Sequence, residues 1–255
     1  MLHSLIGAFV VLFIIFVPLE RLFPLHKEQA ILRKGWFNDL LHFFLNRFLV
    51  LGGTFAIVAV PYVLFQKLFH TPFQVAVTSQ PAWLQFIEAF VVAEIAFYAI
   101  HRLAHTVPWL WKFHAIHHSL EEMDWLASAR LHPVDLIVAN VVVGLPLALL
   151  GFSEATFGIY SLWGAVQAIF IHSNLRFRFG PLRWLTATPE FHHWHHANEA
   201  AAINKNFGFP LIDLILGTAY MPEGQWPARY GIDEHIPLNY LKQLTYPFRK
   251  TYSKK

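Results

Sequence analysis

Five apolar stretches leave this 255-residue chain little choice of surroundings. They run from Leu5 to Pro18, about Phe48 to Phe65, Ala82 to Ile100, Val134 to Leu150, and about Thr156 to Ile171. A helix needs roughly 20 apolar residues to cross the hydrocarbon core of a bilayer. In that core no water satisfies exposed peptide groups, so such stretches fold as helices. Charged residues make up 14% of the chain, where a soluble domain carries about 25%. The reading is an all-α integral membrane fold with four to five transmembrane helices. The first stretch is short for a full span. No basic segment precedes it and no small-residue cleavage site follows, which marks a retained helix rather than a signal peptide. Gly151-Phe152-Ser153-Glu154 reads as a turn that makes the last two stretches an antiparallel hairpin.

Histidines gather beside these stretches. His101 and His105 form an i, i+4 pair, while His114, His117, His118 and His192, His195, His196 form two i, i+3, i+4 triplets. A helix brings such positions to one side. Eight imidazoles suffice for about two metal ions at four ligands each. Imidazoles in an apolar setting are unfavourable unless something binds them. The chain has no cysteine, so thiolate sites and iron–sulfur clusters are excluded and any metal is held by nitrogen and oxygen. Imidazole suits iron, zinc and copper alike. His172 closes the fifth stretch and is a candidate ninth ligand.

Topology brings the clusters together. The third stretch ends at His101, and the hairpin leaves after His132 and returns at His172, so every cluster lies on one membrane side. Of 19 Lys and Arg residues only Lys67 falls on the other side. Loops rich in Lys and Arg stay in the cytoplasm, which puts the histidines and the Lys250–Lys255 tail there. The formal charge of +3 gives no sign of nucleic-acid binding.

At this point the chain resembles a known family. His101-Arg-Leu-Ala-His105, His114-Ala-Ile-His117-His118 and His192-His193-Trp-His195-His196 follow the order of the histidine boxes of the fatty acid hydroxylase/sterol desaturase superfamily of membrane di-iron enzymes. Trp111-Lys112-Phe113, Leu131-His132-Pro133-Val134-Asp135, and Asn206-Phe207-Gly208 through Asp213 to Gly217-Thr218 agree as well. The resemblance covers roughly Val91 to Tyr220. It implies a single membrane domain over 1–255 with a box core at about 91–220. It also implies two iron ions, O2, and hydroxylation or desaturation of an unactivated C–H bond in a sterol, fatty acyl or related lipid arriving from the bilayer. Zinc can replace iron in purified samples. The chain has no dinucleotide or haem motif, so an external electron donor is expected, such as a cytochrome b5-like or ferredoxin-like protein. Residues alone leave open a non-catalytic membrane metal-binding protein.

The neighbours divide by spacing. Asp135 is expected to accept the proton of a ligand imidazole, or else to be a helix N-terminal acid. His132 reads as a ligand, an orienting group or a helix-start residue, with the outer, orienting role favoured; His193 reads as an outer partner or a surface residue, and Asn174 as a water-mediated ligand or a helix cap. Glu121, Glu122 and Asp124 read as a solvated loop, and Trp109 with Trp111 as an interfacial anchor. Arg176, Arg178 and Arg183 serve lipid contact or an acidic donor. His3, His26, His42, His70 and His235 lack partner spacing and read as structural. A cytoplasmic cap is expected from about Arg102–Arg130 and Leu175–Tyr220.

Overall fold

The computed structural model describes residues 2–68 and 71–249, with residues 58–68 as helical backbone. The side chain of Lys67, His70 and the 250–255 tail fall outside the described residues. Ten α-helices occur among those described: α1 (Leu2–Leu22), α2 (Trp36–Leu68), α3 (Pro72–Thr78), α4 (Ala82–Thr106), α5 (Pro108–His118), α6 (Pro133–Leu150), α7 (Glu154–His172), α8 (Pro189–His195), α9 (Pro210–Ile215) and α10 (Tyr240–Thr245). Short 3-10 turns join several of them, and two isolated β-bridges replace strands among the described residues.

Proline sets where many of these helices begin. Pro72, Pro108, Pro133, Pro189 and Pro210 each open a helix, a position where the missing N–H has no partner to lose. Thr71, Ser153, Thr188 and Asn239 cap the following turns through their side chains. Gly151 ends α6 at φ +87°. A Cβ there would lie 2.8 Å from the Gln74 backbone, so only glycine fits both the left-handed turn and the close approach of α3.

Among the described residues, four helices are long and apolar enough to cross a membrane: Leu2–Leu22, Trp36–Ile57, Ala82–Thr106 and Pro133–Leu150. Ile14, Phe55, Trp83 and Ile95 stand exposed on them, as lipid-facing residues do. The chain is thus a multi-pass membrane protein. α7 is helical over the expected stretch but is not among the four. The second span also begins twelve residues before the expected Phe48. Asn38, Asp39, His42 and Asn46 share one face of α2, and all are buried. Hydrogen bonds tie all four of these side chains to the cap.

α4 is the central helix. Its Ala89 and Ala93 let Val143 and Leu147 of α6 approach on one flank. Its Phe90 meets Tyr160 and Trp163 of α7 on another. α6 and α7 are joined by the expected tight turn, but α6 packs chiefly against α4, and α7 against the 3-10 turn Trp125–Ala129, α4 and α8, rather than against each other. The cap is larger than the sequence suggests. Residues 221–249 join it, with Ile236 packed on Ala115 and Ile116 of α5 and Gln243 bonded to Asn38 and His42. The loop after α1 joins through Arg33.

Candidate metal centre

Nine histidines converge from four helices. The last turns of α4 bring His101 and His105; α5 brings His114, His117 and His118; α7 ends on His172; α8 and its C-terminal cap bring His192, His195 and His196. They separate into two groups. His101, His105, His114, His118 and His195 form one, and His117, His172, His192 and His196 the other; within each group the ligating nitrogens all lie within 4.8 Å of one another. All but His105 are buried. The groups adjoin, with His118 and His196 stacked at 4.4 Å between ring centroids.

Proton placement decides what such a cluster can do. His117 Nδ1 donates to the Arg130 carbonyl at 3.0 Å, His172 Nδ1 to the Ala168 carbonyl at 2.6 Å, and His195 Nδ1 to the Lys205 carbonyl at 2.8 Å. His101 Nδ1 donates to the Phe207 carbonyl, and His114 Nδ1 to the Asp135 carboxylate at 2.8 Å. Carbonyl and carboxylate oxygens only accept, so each of these rings, when neutral, carries its proton on Nδ1 and a bare lone pair on Nε2. Yet His101 Nε2 faces His114 Nε2 at 3.0 Å, and His117 Nε2 faces His172 Nε2 at 3.1 Å. Neither nitrogen of these pairs has a proton to share. The buried Nε2 atoms of His105 and His195 have no partner at all. Converging lone pairs repel unless a cation stands between them. Metal–nitrogen bonds of about 2.1 Å place neighbouring nitrogens roughly 3.0 Å apart at right angles and 3.4 Å at the tetrahedral angle. The observed spacings fit that range, so a metal ion fits each group.

Burial, reinforced by mutual repulsion, pushes the imidazoles of His117, His118, His192, His195 and His196 well below their usual range. They stay neutral, the form in which imidazole can bind a metal.

Several neighbours behave differently from their sequence reading. Asp135 does accept the His114 proton, and it also stands in the first turn of α6. His132 caps α6: its Nδ1 accepts from the Val134 N–H, and its Nε2 donates to the Leu244 carbonyl. It is a helix-start residue, not a partner of the ligands. His193 is fully buried and points away from both groups, to Tyr230 and the Ser173 carbonyl. Asn174 is neither cap nor ligand; its side chain bonds the backbone of His26. Asp124 is no solvated residue. It is buried, pairs with Arg33 at 2.7 Å and caps a 3-10 turn. Trp109 is exposed, whereas Trp111 packs 5.3 Å from His105 and 5.5 Å from His118. Arg178 and Arg183 lean towards buried Glu190 of α8 at 3.8 and 3.6 Å, leaving Arg176 freely exposed. Asp39 and Arg130, paired beneath His117, gave no spacing signal.

A cleft of about 420 Å³ reaches the five-histidine group past His105, His118 and His195, with Trp111 and Asn204 on its walls.

The sequence profile of the fatty acid hydroxylase family matches residues 86–218. Ornithine lipid hydroxylase OlsE of Rhizobium tropici is 33% identical over 251 residues, covering 91% of this chain and 71% of that protein. The chain belongs to the fatty acid hydroxylase family. Alkylglycerol monooxygenase of Danio rerio is 32% identical over 157 residues, 61% of this chain but 34% of that protein. Methylsterol monooxygenase 2-1 of Arabidopsis thaliana is 24% identical over 158 residues, 54% and 58% of the two chains. No solved structure matches. Family membership makes this chain a membrane oxidoreductase and sets aside the non-catalytic reading.

Proposed function

We propose that this fatty acid hydroxylase family member hydroxylates a C–H bond of a polar-headed membrane lipid, with ornithine lipid the first substrate to test. The observation that carries the reading is the pair of imidazole groups whose bare Nε2 atoms converge at metal-bonding distances. The family relation favours iron in both groups. The five-histidine group would hold one ion and the four-histidine group the other, and bound iron would supply O2 activation and C–H oxidation. The relatives' names, hydroxylase and monooxygenase, favour hydroxylation over desaturation.

The chain's own residues do the remaining work. The backbone carbonyls and Asp135 hold the Nδ1 protons, which fixes each ring's tautomer and aim. The cleft beside His105, His118 and His195 gives a reacting carbon access to the five-histidine group. Hydroxylation places one oxygen atom of O2 in the lipid and one in water, so each turnover consumes two electrons and two protons. A cytochrome b5-like or ferredoxin-like donor supplies the electrons. We place the cap and the C-terminus in the cytoplasm, where the basic residues direct them, and read residues 1–255 as one domain.

Lipid mass spectrometry of host membranes, with and without the chain, tests the activity. The expected result is a lipid gaining one oxygen atom, lost in His117→Ala. Identical lipid profiles in an ornithine-lipid-producing host with a competent electron donor would refute it.

A further inference from the structure

The loop following α8 contacts the five-histidine group twice. The Lys205 carbonyl accepts from His195 and the Phe207 carbonyl from His101. Lys205 lies between Asn204 and Asn206, both left-handed at φ 57° and 60°. Asparagine tolerates that region better than most residues. The Asn206 side chain bonds Phe191 and Tyr220 of the surrounding backbone.

Phe207 is held from behind by a fully buried carboxylate. Asp213 accepts from the Phe207 N–H at 2.8 Å, the Gly208 N–H at 2.8 Å and the Thr218 hydroxyl at 2.7 Å. The Thr218 proton is committed to that carboxylate, so Tyr98 donates to Thr218 at 3.0 Å, and Arg102 donates to Tyr98 at 3.2 Å. One directed chain of hydrogen bonds thus runs from a cation to an anion, Arg102 to Tyr98 to Thr218 to Asp213. Tyr98 and Arg102 flank His101 on α4, so the chain ties the loop to the helix carrying the ligand it orients. The carbonyls that hold His117 and His172 belong to Arg130 and Ala168, outside this loop.

We propose that Asp213 is a positioning residue for the five-histidine group alone, acting on His101 through the Phe207 carbonyl. The proposal rests on the two-metal reading above. Asp213→Asn keeps the shape but sets an amide NH2 against the Phe207 or Gly208 N–H, which turns one acceptor into a donor. Loss of an outer partner of a ligand typically weakens metal affinity about 10- to 100-fold.

The test titrates metal-free, detergent-solubilised full-length protein with cobalt(II) against a competing chelator. His117→Ala takes the four-histidine group down to three imidazoles, and the double change His101→Ala/His105→Ala takes the five-histidine group down to three, so each background isolates one site. Adding Asp213→Asn should weaken the remaining ion about 10- to 100-fold in the His117→Ala background and leave it unchanged in the His101→Ala/His105→Ala background. Asp213→Glu, which keeps the carboxylate, should restore part of the loss. Should Asp213→Asn fail to fold, Thr218→Val removes one hydrogen bond and should show the same one-sided loss, smaller in size. Equal effects in both backgrounds, or none, would overturn the proposal while leaving two metals in place. A parent protein that binds no cobalt would overturn the two-metal reading and this inference with it.

Discussion

Asp135 offers the sharpest test of the metal centre, because its two roles have separable consequences. Among the described residues it is the one charged side chain that holds a cluster histidine, accepting from His114 Nδ1 at 2.8 Å. It also stands in the first turn of α6. Hydrogen bonds to charged groups contribute about 1.5–3 kcal/mol, and neutral ones about 1 kcal/mol. Asp135→Ala removes the whole interaction, so metal affinity should fall roughly 10- to 140-fold, at about 1.4 kcal/mol per factor of ten. Asp135→Asn keeps a neutral acceptor and forfeits about 0.5–2 kcal/mol of the charged bond, a fall of roughly 2- to 30-fold. A helix-terminal acid would instead affect stability alone, by about 0.3–1 kcal/mol. Competition of bound metal with a chelator, read beside thermal unfolding, separates the two. Affinity should order as Asp, then Asn, then Ala. Unchanged affinity in Asp135→Ala with a lowered melting temperature would refute the role on His114 and leave only the helix end.

Other outcomes follow from the same geometry. His117→Ala and His195→Ala each take a nitrogen from a different group, and both should abolish lipid oxidation; exposed His235→Ala should not, and equal activity in all three proteins would undo the assignment. Asp39→Ala strands buried Arg130 and leaves Arg33 with Asp124 alone, a change that destabilises by about 3–5 kcal/mol; unfolding at the parent's denaturant midpoint would contradict it. The absence of native cysteine allows clean topology mapping. A cysteine at exposed Glu234 should react only when the cytoplasmic face is accessible, and labelling from outside intact cells would invert the orientation.

Much of this protein was legible in its residues, for identifiable reasons. Apolar runs report bilayer spans because the bilayer is a uniform solvent, and prolines mark helix starts because their cost there is small. Histidine spacing showed that the imidazoles share helix faces. What spacing left open is how nine imidazoles divide between two groups. Successive residues turn about 100° around a helix, so His117 and His118 cannot aim at one point. The pairs His101/His105, His114/His118 and His192/His196 each serve one group, while His117 and His195 cross to the other. Only the packing of α4, α5, α7 and α8 decides that crossing. The groups that hold the ligands were equally hidden. The carbonyls of Arg130, Ala168, Lys205 and Phe207 belong to the backbone, which every residue shares, so no residue type announces them. Asp124 read as a solvated acid because its partner Arg33 lies far along the chain, and Asn38, His42 and Asn46 hid the start of the second span because their partners are equally distant. The local sequence determined which segments become helices and which residues can bind metal; the tertiary fold decided which polar groups are buried together, because those partners meet only when distant segments pack.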